Sequence, residues 1–247
     1  MGLMHRANSF ITRHLPVKLA RCQLTRPVAS MTFDDFPRSA WTVGGPILAR
    51  HRARATYYAA GRFCGIAEDG LDYYNAADLR ALSAAGHEVG AHSHAHQMAP
   101  TLGSKALAAD AERNAEALAP LLDRGMSSYA YPYGEVSPRA KAQMGARFAT
   151  ARGIRSGVNA GLIDLAQLRA VPLEHRRWAP AEIDAAVVQA AAAPGWVIFF
   201  THDVSESPSP FGCTPAMLDY TLARLSSAGV QTIPVRQAMA RAVFGGG

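Results

Sequence analysis

The sequence predicts an α/β fold in which parallel strands alternate with helices and close into a (β/α) barrel of a single domain. Three observations lead to this prediction. The chain has 247 residues, which is enough for one sheet-and-helix barrel. Short β-branched and aromatic segments alternate with alanine-rich segments along the chain, as expected for strands joined by crossover helices. About seven or eight such units close most naturally into a barrel, with the site on the loops at the carboxyl ends of the strands.

Local patterns predict the elements of the first half. The apolar segment 28–33 predicts a buried first strand, residues 41–50 a helix despite an internal proline, and residues 55–60 the second strand. Asn75 is the predicted cap of a helix over 76–85, which Gly86 ends. A third strand over 87–91 and a helix from Ser104 to about Leu122 complete this half.

The second half continues the alternation. The predicted strands cover 127–131, 148–151, 168–173, 196–201 and 230–233. The predicted helices begin at Ser137-Pro138 and Thr214-Pro215 and also cover 180–192 and 234–243. The strand over 196–201 is continuously apolar, which is typical of a strand buried on both faces.

Charge separates residues 1–27, a predicted basic arm, from a predicted barrel domain over 28–247. The first 30 residues hold five basic side chains and no acidic ones, whereas the rest of the chain holds 20 basic and 19 acidic side chains. Such an arm most often packs on its domain or frays. Weak contact with an anionic membrane surface is the alternative. Aromatic residues are nearly absent from the arm, and no nucleic-acid partner is expected.

The three cysteines, Cys22, Cys64 and Cys213, are far apart and form no Cys-x-x-Cys pair, so neither a disulfide framework nor a thiolate metal site is predicted. No segment approaches the roughly 20 apolar residues of a membrane span. The amino-terminal residues lack the continuous apolar stretch of a secretory signal, and we expect a cytoplasmic protein.

Two clusters of polar side chains follow predicted strands. Asp34 and Asp35 come directly after the first strand, and His92, His94 and His96 follow the third. A lone Asp-Asp pair is usually a solvated turn, and a lone histidine is usually structural. Because both clusters stand at strand ends, where α/β folds bind their ligands, we favour a metal site.

The geometry of an extended backbone divides the two carboxylates. Successive side chains point to opposite sides, so one aspartate can bind a metal while the other handles protons. Catalytic zinc typically has three protein ligands and an open position, and Asp35, His92 and His96 supply that number. His94 shares the side of the other two imidazoles only if the backbone is extended.

Four segments resemble, in order, motifs of the polysaccharide deacetylase family, which is the NodB-homology domain of carbohydrate esterase family four. They are Thr32-Phe33-Asp34-Asp35, the stretch from Gly86 to His96, Tyr131-Pro132-Tyr133-Gly134 and Phe200-Thr201-His202. The resemblance extends from about Val28 to the end of the chain. It implies a distorted (β/α) barrel, and it is the family rather than the periodicity that selects seven strands.

The resemblance also implies a function and residue roles. It implies a hydrolase that removes an acetyl group from a carbohydrate, with an N-acetyl group favoured over an O-acetyl group. Asp34 is the expected general base, His202 the expected general acid, and the backbone N–H of Tyr133 the expected oxyanion donor. Zinc is the expected metal, although cobalt, nickel or iron fit oxygen and nitrogen ligands as well.

Several positions depart from the family pattern. Ala130 stands where the third motif usually has an arginine that hydrogen-bonds the base, and Arg152 or Arg169 is a candidate replacement from another strand end. Phe36 replaces a glycine. The Asp-Trp pair that usually supports the catalytic histidine has no clear counterpart, which leaves Asp164, Glu174 or Asp184 as candidates.

Two other functions remain open from the sequence. His92-Ser93-His94 and His94-Ala95-His96 both fit the His-x-His string of a zinc amidohydrolase acting on a small amide. The departures at Ala130 and in the fourth motif are also compatible with a catalytically idle sugar-binding domain.

Overall fold

A curled sheet of parallel strands forms the centre of the protein. The computed structural model describes residues 12, 15–192 and 194–245. The strands are β1 Leu19–Arg21, β2 Val28–Phe33, β3 Thr56–Ala59, β4 Ala67–Glu68, β5 Leu71–Asp72, β6 Glu88–Ala91, β7 Ser128–Ala130, β8 Thr150–Arg152, β9 Leu162–Asp164, β10 Val171–Pro172, β11 Trp196–Thr201 and β12 Gln231–Thr232. The helices are α1 Ser39–Thr42, α2 Gly44–Arg50, α3 Ala76–Ala84, α4 Ser104–Leu118, α5 Pro138–Arg147, α6 Pro180–Ala192, α7 Pro215–Ser227 and α8 Val235–Phe244.

Seven parallel strands follow one another around the sheet in the order β10-β11-β2-β3-β6-β7-β8. Strand β12 adds to β2 at Val28 and Ala29, below the point where β3 pairs with β2 at Thr32 and Phe33. Every pairing in this sheet is parallel, so the carboxyl ends of the strands meet at one rim. The predicted α/β fold, a distorted (β/α) barrel with seven strands, is confirmed.

Most predicted elements lie where the sequence placed them. The first strand, the helix over 180–192 and the strand over 196–201 have the predicted bounds. Asn75 caps α3 by accepting hydrogen bonds from the N–H groups of Ala77 and Asp78, and the Asp78 carboxylate accepts from the N–H of Asn75 in return. This reciprocal arrangement satisfies N–H groups that a helix start otherwise leaves free.

The structure corrects two predicted elements and adds one strand pairing that the sequence did not predict. The helix from Ser104 ends at Leu118 and not near Leu122, because Pro120 lacks an N–H and its ring conflicts with the preceding turn. In the segment 168–173 only Val171–Pro172 forms a strand. An antiparallel pair between β1 and β9, with Ala20 opposite Ile163, was not predicted.

The described part of the amino-terminal segment packs on the barrel. Besides the β1–β9 pairing, the buried ammonium of Lys141 donates to the carbonyls of Thr12 and Leu15, at 2.8 Å each, and contacts the Asp164 carboxylate at 2.8 Å. Most of residues 1–14 lie outside the described residues, and the division of the chain at residue 27 stays a prediction. Within the described part of the chain, no helix is both long enough and apolar enough to cross a bilayer.

The sheet is covered on both faces. All six residues of β2 are buried, and its apolar residues divide between two clusters. Met31 and Phe33 pack with the helices outside the sheet, whereas Val28 packs with Trp196 and Ile198 on the other face. Such burial explains why these strands read as continuous apolar stretches.

A buried carboxylate links three strands and a helix inside the barrel. Glu88 of β6 accepts hydrogen bonds from the hydroxyls of Thr56 and Ser128, at 2.9 and 2.7 Å, and from the N–H of Arg236 at 2.8 Å. Burial raises the pKa of Glu88. The network therefore joins β3, β6, β7 and the first turn of α8 at the end of the barrel opposite the rim.

We expect Glu88→Ala to lower the free energy of unfolding by about 3 kcal/mol, because three donors lose a buried acceptor. Chemical denaturation monitored by circular dichroism measures the change. Glu116→Ala, which removes an exposed glutamate from α4, is the control and should change stability by less than about 0.5 kcal/mol. Equal stability of the two variants would contradict a structural role for Glu88.

Candidate functional site

The rim formed by the carboxyl ends of the parallel strands carries a cleft of about 590 Å³. Asp34 and Asp35 follow β2, His92 follows β6 and His202 follows β11. The six residues that the sequence predicted for the site, Asp34, Asp35, His92, His96, Tyr133 and His202, all line this cleft. Segments that are far apart in the sequence therefore meet at one place.

Asp35, His92 and His96 form a compact group of potential metal ligands. Their ligand atoms all lie within 4.8 Å of one another. The Nε2 atoms of His92 and His96 lie 3.2 and 2.9 Å from Oδ1 of Asp35. A carboxylate with two imidazoles is a donor set that suits zinc and other divalent transition metals.

The orientation of these side chains fits a cation. Oδ1 of Asp35 is buried, yet it has no hydrogen-bond partner of acceptable geometry although two imidazole nitrogens are nearby. Buried acceptors are normally hydrogen-bonded. Three ligand atoms that converge at these distances are arranged as they would be around an ion, and the residues present therefore fit a metal.

Local electrostatics keep Asp35 ionised. Burial by itself would raise the pKa of Asp35, but the imidazoles of His92 and His96 and the charge of His202 hold that pKa well below its usual range. The ionised carboxylate of Asp35 therefore offers negatively charged oxygens as ligand atoms for a cation.

Hydrogen bonds behind the ligands fix their orientation. Nδ1 of His92 lies 2.9 Å from the carbonyl of Ala130, so its Nε2 is the atom that faces the cleft. The Asp110 carboxylate accepts from the N–H groups of His94 and Ala95, at 2.8 and 2.9 Å. The contact at Nδ1 sets the tautomer and ring direction of His92, and the Asp110 bonds hold the backbone between the two ligating histidines.

Ser93 braces the same loop. Its hydroxyl accepts from the N–H of His96 at 2.9 Å, and its backbone adopts a positive φ of 61°. The positive φ at Ser93 and at His96 (51°) turns the chain so that His92 and His96 face the same ion position.

His94 lies outside the ligand group. Its side chain packs against Gly61, where an added Cβ would collide with the ring, and the group of ligand atoms contains Asp35, His92 and His96 without it. The loop is turned rather than extended, which explains why the third imidazole points elsewhere.

Asp34 is buried and is held by Arg152. The terminal nitrogen Nη2 of Arg152 donates to both carboxylate oxygens of Asp34, at 2.5 Å for Oδ2. The guanidinium lies between the rings of Tyr58 and Phe200, 5.2 and 5.0 Å from their centroids. Of the two candidate arginines, Arg152 therefore reaches Asp34, whereas the hydrogen bonds described for Arg169 join its backbone to Asn159.

The register of the sheet explains why Arg152 can serve in place of an arginine at position 130. Ala130 on β7 and Arg152 on β8 are partners in the parallel ladder, and paired residues project to the same face of a sheet. The arginine missing at Ala130 is thus present one strand further along. A sequence signal for it existed, since Arg152 directly follows the predicted strand 148–151, but the pairing of strands could not be derived from the sequence.

His202 is supported by a backbone carbonyl. Its Nδ1 lies 3.2 Å from the carbonyl oxygen of Phe211, and its Nε2 lies 3.8 Å from Oδ2 of Asp35. The prediction that Asp164, Glu174 or Asp184 fills this place was wrong. Asp164 binds Lys141, Glu174 binds Arg176 and Asp184 binds Arg224.

Positive φ values concentrate at this site. Besides Ser93 and His96, they occur at Asp35 (61°), Phe36 (58°) and Tyr133 (60°). The ring of Phe36, where the family pattern has glycine, is buried against Tyr57 and Tyr74 with centroids 4.8 and 4.9 Å away. This packing holds a conformation that side-chain-bearing residues rarely adopt.

Comparison with known proteins gives one family and a consistent set of folds. Residues 22–149 match the profile of the family described as "Polysaccharide deacetylase". No curated protein matches the chain.

Solved structures with the same fold share little sequence with the chain. A family 4 carbohydrate esterase from Streptomyces lividans in complex with acetate has 19% identity and a TM-score of 0.60, with 85% of this chain and 92% of that chain covered. A family 4 acetyl xylan esterase from Clostridium thermocellum in complex with cobalt has 19% identity and a TM-score of 0.62, with 86% and 90% covered. A family 4 pseudoenzyme from Bacillus anthracis has 15% identity and a TM-score of 0.61, with 91% and 69% covered.

We expect His96→Ala to weaken zinc binding by more than the roughly 10- to 100-fold that loss of an outer hydrogen-bond partner costs, because a direct ligand is removed. His94→Ala is the matched control and should bind zinc within a few-fold of the unmodified protein. Titration calorimetry measures both affinities. Loss of zinc from the His94 variant would instead support a His-x-His site.

Proposed function

Since this chain belongs to the polysaccharide deacetylase family, whose hydrolases act on carbohydrate acetyl groups, we propose that it uses a divalent metal to remove an acetyl group from the nitrogen of an acetylated sugar. One observation carries the proposal. Asp35, His92 and His96 gather their ligand atoms in a cleft that also holds a buried carboxylate, Asp34, and an accessible imidazole, His202.

Asp35, His92 and His96 are the residues that would hold the ion, and zinc is the proposed metal. A divalent cation bound there would supply Lewis acidity, which activates water and polarises a carbonyl. The cobalt complex of the Clostridium thermocellum esterase supports a transition metal for this fold, and the donor set of this chain is compatible with either ion.

Asp34 is the proposed general base. It adjoins the ligand Asp35, but its carboxylate is turned to Arg152. An ionised carboxylate at this place can take the proton of the attacking water. The guanidinium compensates the buried negative charge before the proton arrives, and it holds the carboxylate in one orientation.

His202 is the proposed general acid. Its Nδ1 faces the Phe211 carbonyl, so Nε2 is the nitrogen that can give a proton to the leaving group. An amine leaves an acetyl carbon readily only when protonated, which is why the placement of His202 supports an amide substrate over an ester.

The backbone N–H of Tyr133 is the proposed oxyanion donor. Tyr133 lies in the 3₁₀ turn Pro132–Gly134, which lines the cleft, and its φ of 60° sets the direction of its peptide groups. A donor of this kind typically contributes about 3 to 4 kcal/mol to transition-state stabilisation.

The structure favours this function over the two alternatives. A His-x-His amidohydrolase site would need His94, which packs against Gly61 away from the other two imidazoles. An idle sugar-binding domain was suggested by Ala130 and by the missing fourth motif, but Arg152 makes the contact to Asp34 that Ala130 cannot make, and the Phe211 carbonyl supports His202. The cellular location stays a prediction.

Zinc-loaded protein should release acetate from N-acetylated sugar oligomers, and a chelator should abolish the release. Asp34→Asn should lower kcat by roughly 100- to 10,000-fold, because the proton acceptor is lost, while zinc content stays unchanged. Enzymatic acetate detection and elemental metal determination are the measurements. Asp123→Asn changes an exposed aspartate at the opposite end of the barrel and is the control, for which kcat should stay unchanged. Undiminished turnover by Asp34→Asn would refute the base assignment.

Arg152→Ala should lower kcat by roughly 10- to 100-fold through loss of the partner of Asp34. The double variant Ala130→Arg with Arg152→Ala should recover part of that loss, because ladder partners project to the same face of the sheet. Initial rates of acetate release on zinc-saturated samples measure the effect. Arg155→Ala, a nearby exposed arginine, is the control, and wild-type kcat in Arg152→Ala would show that the ion pair is only structural.

A further inference from the structure

The loop that follows β11 folds back, and residues near its end support His202. The loop covers residues 203–213, and the carbonyl of Phe211 near its end lies 3.2 Å from Nδ1 of His202. The ring of Phe211 lies 5.7 Å from the imidazole. His202 thus depends on the conformation of the loop that follows it in the chain.

The Asp203 side chain holds this loop from inside. It is 2% exposed, and its carboxylate accepts from the N–H of Ser209 at 2.9 Å and from the hydroxyl of Ser209 at 2.5 Å. The backbone of Asp203 also accepts from the N–H of Cys213 at 2.9 Å. A Cβ at Gly212 would collide with the Asp203 carboxylate, so the loop closes tightly around this side chain.

A second set of contacts holds Phe211 from the neighbouring segment. The N–H of His175 donates to the Gly212 carbonyl at 2.7 Å, and the N–H of Arg176 donates to the Pro210 carbonyl at 3.2 Å. The guanidinium of Arg176 lies 4.3 Å above the Phe211 ring. Residues 210–212 are therefore fixed on one side by Asp203 and on the other by the segment after β10.

We propose that Asp203 is a positioning residue for His202, acting through the loop 203–213 and the Phe211 carbonyl. This inference rests on the proposed function. A buried carboxylate that satisfies two donors of Ser209 keeps the loop closed, and the closed loop keeps the Phe211 carbonyl on Nδ1. The carboxylate does not touch the imidazole; it fixes the acceptor that does.

The consequence is a defined path for one proton. With Nδ1–H donating to the Phe211 carbonyl, the proton on Nε2 of the imidazolium is the one that passes to the leaving nitrogen as the carbon–nitrogen bond breaks. The products are acetate and the free amine, and His202 ends neutral with its proton on Nδ1. If the loop opens, the ring can rotate and this proton is no longer aimed at the substrate.

The test compares two acetyl substrates that differ in their need for an acid. N-acetylated sugar oligomers need protonation of the leaving nitrogen, whereas 4-nitrophenyl acetate releases a stable phenolate without it. Asp203→Ala should lower kcat on the sugar substrate by roughly 10- to 100-fold, with KM changed less than about twofold and with hydrolysis of 4-nitrophenyl acetate nearly unchanged.

Matched variants make the comparison sharper. Asp203→Asn should recover most of the activity, because an asparagine can accept from the N–H of Ser209 and donate to its hydroxyl. Ser209→Ala keeps the bond from the Ser209 N–H to Asp203 but removes the bond from the Ser209 hydroxyl to Asp203 and the bond that this hydroxyl accepts from the Gly212 N–H, and it should give an intermediate loss. Glu206→Ala, which changes an exposed acidic residue of the same loop, is the control and should leave kcat unchanged. In a His202→Ala background, Asp203→Ala should cause no further loss of kcat on the sugar substrate.

A second readout needs no turnover. Nitrogen NMR of the His202 ring in zinc-loaded protein should show Nδ1 protonated in the unmodified chain, and a mixture of tautomers in Asp203→Ala and Ser209→Ala. An inactive unmodified protein would overturn the proposed function and leave the NMR result to decide the positioning role. Unchanged tautomers in both variants, or equal losses on both substrates, would overturn the role of Asp203.

Discussion

The buried ion pair between Arg152 and Asp34 is the contact around which the rim is arranged. A carboxylate in a buried place costs free energy unless its charge is compensated, and Arg152 supplies that compensation from the end of β8. The guanidinium is itself held between Tyr58 and Phe200, which belong to β3 and β11. One arginine thereby ties together four strands that meet at the cleft, and it leaves Asp35 as the carboxylate available to a metal.

The positions next to this ion pair carry unfavourable backbone conformations. Asp35, Phe36, Ser93, His96 and Tyr133 all have positive φ, which costs on the order of 1 to 3 kcal/mol for each side-chain-bearing residue. The rest of the barrel offsets this cost through its buried sheet and through specific contacts such as the packing of Phe36 on Tyr74. Strain is concentrated where the chain must turn sharply at strand ends to bring ligands together.

Two departures from the family pattern have the same physical explanation. In each case the site keeps an interaction but takes it from another part of the chain. Arg152 replaces an arginine at Ala130 because the two positions are partners in adjacent strands. The Phe211 carbonyl takes the place of a side-chain acceptor for His202 because the loop 203–213 folds back onto it. A site is maintained by where groups lie in space, and several chain positions can place a group at the same point.

The local sequence by itself determined most strands of the central sheet, most helices and the identity of the groups at the rim. Buried strands are recognisable from continuous apolar segments, and Asp34, Asp35, His92, His96 and His202 are recognisable because they follow such segments. Only the tertiary structure decided the contacts between distant segments. These are the β1–β9 pairing, the ion pair between Arg152 and Asp34, the position of His94 outside the ligand group and the support of His202 by the Phe211 carbonyl. The reason is that strand order and register set these distances, and both depend on the packing of the whole sheet rather than on any local pattern.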